Sequence, residues 1–316
     1  MKTLLSTLRA SKETLKAQIE QTATMKGQDS WLFVPENREG KVCLVAHIDT
    51  VWDNERGFGK FGSLFPKMPE KKAPEREKIL IHDKEKGLIW SPDGLGADDR
   101  AGVYAALKLF EETPGPYKPF VLLTDYEESG GRGAREAADI FAEELAGCNF
   151  FIELDRANGN DAVFYNGEPK EFADYISEFG FKESIGSFSD ISIVCPAVER
   201  CGVNLSIGYY NQHTDKEYLD TSKLFTTIEK VQHILKDNYD KKKVWELEPL
   251  SCEDRDWIDR WGKLGYEDEP YFGAGDVVEC PECGESMEFE DLNFTQGYCV
   301  YCGRFIMTTD GTLVTQ

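Results

Sequence analysis

Long apolar runs are missing from this chain. No stretch approaches the ~18 consecutive apolar residues of a membrane-spanning helix, and residues 1–20 lack the apolar centre of a secretory leader. Basic charge is scarce: 36 Lys and Arg stand against 58 Asp and Glu, for a net charge of −22. That balance disfavours a nucleic-acid or anionic-membrane partner and favours solubility. No internal repeat at periods of roughly 20–50 residues is present. The nine cysteines are odd in number and come without an export signal. They point to a reducing compartment and to metal or core roles rather than disulfides. The expectation is a soluble cytoplasmic protein with neither membrane nor nucleic acid as partner.

What is present suffices for a packed core. The 316 residues are 41% apolar and 12% aromatic, enough for one large α/β domain with a small satellite or for two medium domains. Residues 1–20 read as an amphipathic helix with Leu4, Leu8, Leu15 and Ile19 on its apolar stripe. Short apolar-rich stretches at 31–34, 42–46, 120–124, 150–154 and 203–207 read as strands. The pieces 79–81 and 88–90 read as a hairpin, and 52–78 as a loop or exposed insertion. Helices are expected from the Asp98-Asp99 pair to about Glu112, near 169–179, and through Leu224, Phe225, Ile228, Val231 and Leu235. This alternation predicts an α/β fold, a three-layer αβα sandwich around a mostly parallel, mixed sheet. The expected domains are 1–245, a connector over 246–274, and a cysteine-rich module over 275–316.

Polar residues gather where those strands end. His47 and Asp49 follow one strand, Glu127 and Glu128 another, and Asp155 a third, while His213 lies beyond a fourth. In open α/β sheets, ligand and metal sites collect outside the carboxyl ends of strands. A single polar residue at a strand end is simply where chain meets water; six of them in one sheet argue for a shared site. Imidazole with several carboxylates is a mixed N/O donor set that suits zinc, with cobalt or manganese as substitutes. The spacing of His47 and Asp49 places both on one face of an extended chain, so Asp49 can orient the imidazole from behind. Asp98 and Asp99, flanked by Gly94, Gly96 and Gly102, form an acidic turn at a helix start. Side by side they repel unless a cation or donors neutralise them. His82 and His233 read as surface residues, and Cys43 and Cys148 as core. Cys195 and Cys201 flank an expected turn at Pro196.

In order, 47–50, 96–102, 127–131, 153–155 and 213–214 resemble the signature segments of the co-catalytic dizinc exopeptidases. That group includes peptidase T-like aminotripeptidases, carboxypeptidase and amidohydrolase relatives, and compact aminopeptidases. The resemblance spans roughly 41–237. It implies that Asp98 bridges two zinc ions, with His47 and Asp155 completing one and Glu128 and His213 the other. It implies that Glu127 is the general base and that the Asp98–Asp99 peptide is cis. Arg100 stands where the family commonly has Lys, which keeps the charge. Only 58 positions separate Asp155 from His213, too few for the large lid domain of some branches. Ser189-Asp190 resembles a segment lining the family's pocket. A lidless aminopeptidase for short peptides is the leading expectation. A deacylase of N-acyl amino acids, with Arg132, Arg156 or Arg200 gripping a carboxylate, is the alternative. A non-enzymatic interaction protein comes third, disfavoured because Glu127 and the ligand set are complete.

Cys280-x2-Cys283 and Cys299-x2-Cys302, with 15 residues between the pairs, have the spacing of a four-thiolate zinc ribbon. A structural zinc would supply folding energy that so small a core cannot. The acids at 279, 282, 285, 288, 290 and 291 favour a protein partner, or a cover over the active edge, above nucleic acid.

Overall fold

The structure is a computed structural model that describes residues 3–53, 78–186 and 188–247, together with 277–279, 286–288, 306–309 and 312–315. Most of the expected 52–78 insertion, most of the connector and all four paired cysteines lie outside the described residues. Chain contacts divide the protein into a large unit, Met1–Arg56 with Lys71–Pro249, and a second unit, Gly57–Glu70 with Leu250–Gln316.

The large unit opens with two helices, α1 (Leu4–Arg9) and α2 (Lys12–Thr22), where one was expected. The break is chemical: Ser11 accepts the Thr14 N–H at 3.2 Å and starts a new helix. There follow β1 (Met25–Lys26), β2 (Ser30–Phe33), β3 (Val42–His47), the hairpin β4 (Ile81–Asp83) and β5 (Leu88–Trp90), and α3 (Ala97–Glu112). Next come β6 (Phe120–Thr124), α4 (Arg132–Ile140), α5 (Ala142–Ala146), β7 (Phe150–Arg156), β8 (Asp161–Val163), α6 (Lys170–Ser177) and β9 (Lys182–Ser184). The unit ends with α7 (Ile191–Val198), β10 (Gly202–Ser206), β11 (Tyr209–Tyr210), β12 (Tyr218–Asp220) and α8 (Thr221–Lys241).

Eight strands form a mixed sheet in the order β1-β2-β6-β3-β7-β10-β8-β9, and β6, β3, β7 and β10 at its centre are parallel. The chain passes from β3 to β6 in one direction, then back across β3 to β7. Right-handed crossovers therefore put α3 on one face and α4 on the other. Accordingly α3 packs with α1 and α8, while α4 packs with α5 and α7. The fold is the expected α/β class. Sites in such sheets lie where connections leave neighbouring strands toward opposite faces, and that point is the carboxyl end of β3.

The inner strands are buried along their length, with Leu44, Val45, Val121, Leu122, Phe151 and Ile152 at 0% exposure. Phe225, expected on the apolar side of α8, is instead 41% exposed. The expected turn around Pro196 is the end of α7, which Glu199 closes at φ 55. Cys43, Cys148, Cys195 and Cys201 are all buried free thiols. Beyond α8 the chain recrosses the amino end of the sheet. Trp245 donates its N–H to Asn149 O at 2.8 Å, accepts from Cys201 N–H at 2.9 Å, and packs on Phe172 and Tyr175.

A second, four-stranded sheet has the order β11-β12-β5-β4. In the second unit, β13 (Val277–Glu279) pairs antiparallel with β14 (Ser286–Glu288), and β15 (Ile306–Thr309) with β16 (Thr312–Thr315). Among the described residues no helix is long and apolar enough to cross a membrane.

Candidate active site

The three central strands β6, β3 and β7 deliver their terminal residues side by side. His47 ends β3, Glu127 and Glu128 follow β6, and Asp155 lies near the end of β7. Asp98 enters from the start of α3, and His213 from the turn between β11 and β12. All seven residues expected at the catalytic site converge on this edge. His47 Nε2 lies 3.3 Å from Asp98 Oδ1, 3.5 Å from Asp155 Oδ1 and 3.9 Å from Glu127 Oε2. His213 Nε2 lies 3.1 Å from Asp98 Oδ2 and 3.0 Å from Glu128 Oε1. The two oxygens of Asp98 thus face two different histidines.

Asp49 does more than orient the imidazole. His47 Nδ1 meets the main-chain oxygen of Asp49 at 2.9 Å, with the Asp49 carboxylate farther off at 3.4 Å. That carboxylate accepts the Glu127 N–H at 3.2 Å, so one residue positions both the imidazole and the acid on the neighbouring strand. Asp99 takes a separate role from Asp98. It accepts the N–H of Gly102 at 3.0 Å as a helix cap and the N–H of His47 at 3.2 Å. The peptide joining Asp98 and Asp99 is cis. Gly96 turns into the pair at φ 62. A Cβ on Gly102 would sit 2.2 Å from Leu154 O and 2.3 Å from Asp99 Oδ1, so nothing larger than glycine fits there.

Arg100 is buried and shows what arginine adds over lysine. Its Nη2 reaches both carboxylate oxygens of Asp53 at 2.7 Å, while Nη1 bonds the Ala10 carbonyl. A lysine has one nitrogen and no planar fork with which to span the two partners in this way. Lys78 joins it by donating to Leu95 O at 2.8 Å and Leu8 O at 3.2 Å. Burial lowers Lys78 to about 8.

The electrostatics follow from packing many acids into little space. Burial, then the charge of Asp98, pushes Asp155 up to about 7. Burial pushes Glu127 well above the usual carboxylate range; the positive charge of His47 opposes this, and Asp155 and Glu128 add to it. Burial acts on Asp98 in the same direction, but the nearby imidazoles of His213 and His47 outweigh it and hold that carboxyl well below its ordinary value. Burial alone would lower His213, yet Asp98 and Glu128 push it up to about 11.

The donor set fits metal ions. Three groups of side chains bring ligand atoms within 4.8 Å of one another: His47 with Glu127 and Glu128, His47 with Asp99 and Asp155, and Asp98 with Glu128 and His213. His47 Nε2 is buried in the midst of these oxygens with no hydrogen-bond partner. An orphaned, fully buried imidazole nitrogen among carboxylates is an atom that a metal ion would satisfy.

Glu217, Glu153 and Tyr209 were given no role by the sequence reading, which placed Ser189-Asp190 beside the pocket. Glu217 is buried and accepts three successive main-chain N–H groups, of Gly96, Ala97 and Asp98, at 2.7, 2.7 and 3.0 Å. Beneath the site, Glu153 takes hydrogen bonds from Ser189 Oγ and from the N–H groups of Asp190 and Ile191. Burial, then Asp155, pushes Glu153 up to about 8. Asp190 accepts from Thr124 Oγ1, while its Oδ1 is buried without a partner. Tyr209 donates to Asp155 Oδ1 at 3.1 Å. A charge inside the apolar strand 150–154 was the signal available for Glu153. Glu217 had none, because its partners are backbone groups that no side-chain pattern reveals.

No protein-family model matches the chain, and no curated protein does. By fold it is similar to a tripeptidase from Staphylococcus aureus, with a TM-score of 0.51, 14% identity, and coverage of 75% of this chain and 97% of that one. It is similar also to the TET1 peptidase of Pyrococcus horikoshii, which can assemble into a tetrahedron or a large octahedral shell. There the TM-score is 0.50 and the identity 13%, over 74% of this chain and 99% of that one. At such identities the likeness is one of fold: the chain has the α/β architecture of these peptidases.

Proposed function

We propose that the chain is a dinuclear metal-dependent aminopeptidase acting on short peptides, a member of the co-catalytic dizinc exopeptidases. The observation that carries this reading is Asp98, whose two oxygens lie within 3.3 Å of two histidines on separate elements. His47 and Asp155 would hold one zinc, Glu128 and His213 the other, with Asp98 shared; cobalt or manganese would suit the same donors. When bound, the metal pair supplies a Lewis acid for the scissile carbonyl and lowers the pKa of water toward ~7. Glu127 takes the proton from the attacking water and returns it to the leaving nitrogen. Asp49 holds the Glu127 main chain in place for this transfer.

A peptide amino terminus brings positive charge, which suits a site rich in acids. The carboxylate grip a deacylase needs finds no support among the three arginines considered. Arg132 bonds Asp29 at 2.7 Å and covers the Tyr126 ring. Arg200 bonds the carbonyls of Cys148 and Ala146, and Arg156 bonds that of Ile185. Cys280, Cys283, Cys299 and Cys302 are proposed to hold a third, structural zinc in a module over 275–316 that could meet a protein partner. A hydrolysis panel tests the reading. Free-amino dipeptides and tripeptides should be cleaved with added zinc, cobalt or manganese, and N-acyl amino acids should not. Cleavage confined to the N-acyl substrates would overturn it.

A further inference from the structure

One turn grips Asp98 twice. His213 meets the Asp98 carboxylate at 3.1 Å, and four residues later Glu217 accepts the Asp98 main-chain N–H at 3.0 Å. Between them the turn is exposed and held by local bonds, Thr214 Oγ1 to Asn211 O at 2.7 Å and Glu217 N–H to Thr214 O at 3.2 Å. His213 itself sits at φ 60 with its side chain half exposed. Glu217 is its opposite, 2% exposed and saturated by Gly96, Ala97, Asp98 and the indole N–H of Trp52 at 3.3 Å.

We propose that Glu217 is a positioning residue for the half of the metal site formed by Asp98, Glu128 and His213. Its carboxylate ties the turn carrying His213 to the main chain carrying Asp98. It thereby sets the separation of two ligands that come from elements far apart in sequence. His47 and Asp155 stand on neighbouring strands of one sheet and have no need of such a tie. The inference rests on the dinuclear reading. A carboxylate that merely capped the start of α3 would lend stability without favouring either half of the site.

The test is Glu217→Gln in the full chain. The amide keeps the shape, but its NH2 group must face main-chain donors. Zinc titration of the metal-free protein by calorimetry, with cobalt absorption spectra alongside, should find one chelator-labile ion bound as in the unsubstituted protein. The other should bind about 10- to 100-fold more weakly, the usual loss when a ligand's support is removed. Excess metal should restore kcat, with KM for a short peptide unchanged. Both labile ions binding with undiminished affinity would overturn the inference, whatever happens to thermal stability. Fewer than two labile ions in the unsubstituted protein would instead overturn the dinuclear reading beneath it. Should Glu217→Gln fail to fold, Trp52→Phe removes a single donor to Glu217. It should weaken the same ion a few-fold, and an unchanged affinity would again refute the proposal.

Discussion

The two histidines of the site are held in contrasting ways. His47 ends a central strand, its side chain has 0% exposure, and its second nitrogen is tied to Asp49. His213 stands on an exposed turn with half its side chain in solvent. One half of the site is therefore built into the sheet, and the other is brought to it. Rigid elements place ligands more firmly than loops do, so, on the dinuclear reading, an ion held at His213 should exchange more readily than one held at His47.

The largest effect tests what the halves share. Glu127→Gln should lower peptide hydrolysis by about 10²- to 10⁴-fold while labile metal content stays unchanged; near-normal turnover would reject Glu127 as the base. Next come the histidines themselves. His213→Ala should lose one ion and regain part of its activity with added imidazole, because solvent reaches that position. His47→Ala should lose the other ion without rescue, and equal rescue of both would erase the contrast. Arg100→Lys is expected to cost about 1.5–3 kcal/mol, the worth of hydrogen bonds to charged groups. A thermal melt should show this, with both ions affected alike; loss of one ion alone would mean that Arg100 serves a single half.

The last effect concerns pH on the His47 side. Burial, then the charge of Glu153, raises Asp190 to about 7. The folded protein keeps a proton there that the unfolded chain releases near pH ~4. Between these values the native state binds more protons, so this group's contribution to stability falls as pH rises from about 4 to about 7. Asp190→Asn should flatten that part of the melting-temperature profile of the metal-free protein. An unchanged slope would count against the assignment.

Much of this was legible in the sequence because the sheet puts it there. Apolar runs ending in His47, Glu127-Glu128 and Asp155 mark strands whose carboxyl ends meet, and glycines around Asp98 mark a turn of close approach. What escaped depends on the main chain or on side-chain hydrogen bonding. Ser11 divides the first helix by capping, Pro196 is absorbed into the end of α7, and Glu217 reads only as one acid in a charged stretch. Arg100 looked interchangeable with lysine until its fork was seen to hold Asp53 and Ala10 together.

The strap formed by 243–247 has a consequence for where the chain can be cut. A protein ended at Lys242 would leave the Asn149 carbonyl and the Cys201 N–H without the partners that Trp245 provides. It would also uncover the aromatic rings of Phe172 and Tyr175. Leu247, 8% exposed and bonded to Glu199 O at 3.3 Å, extends the same seam. Fragments that end before Trp245 should accordingly aggregate.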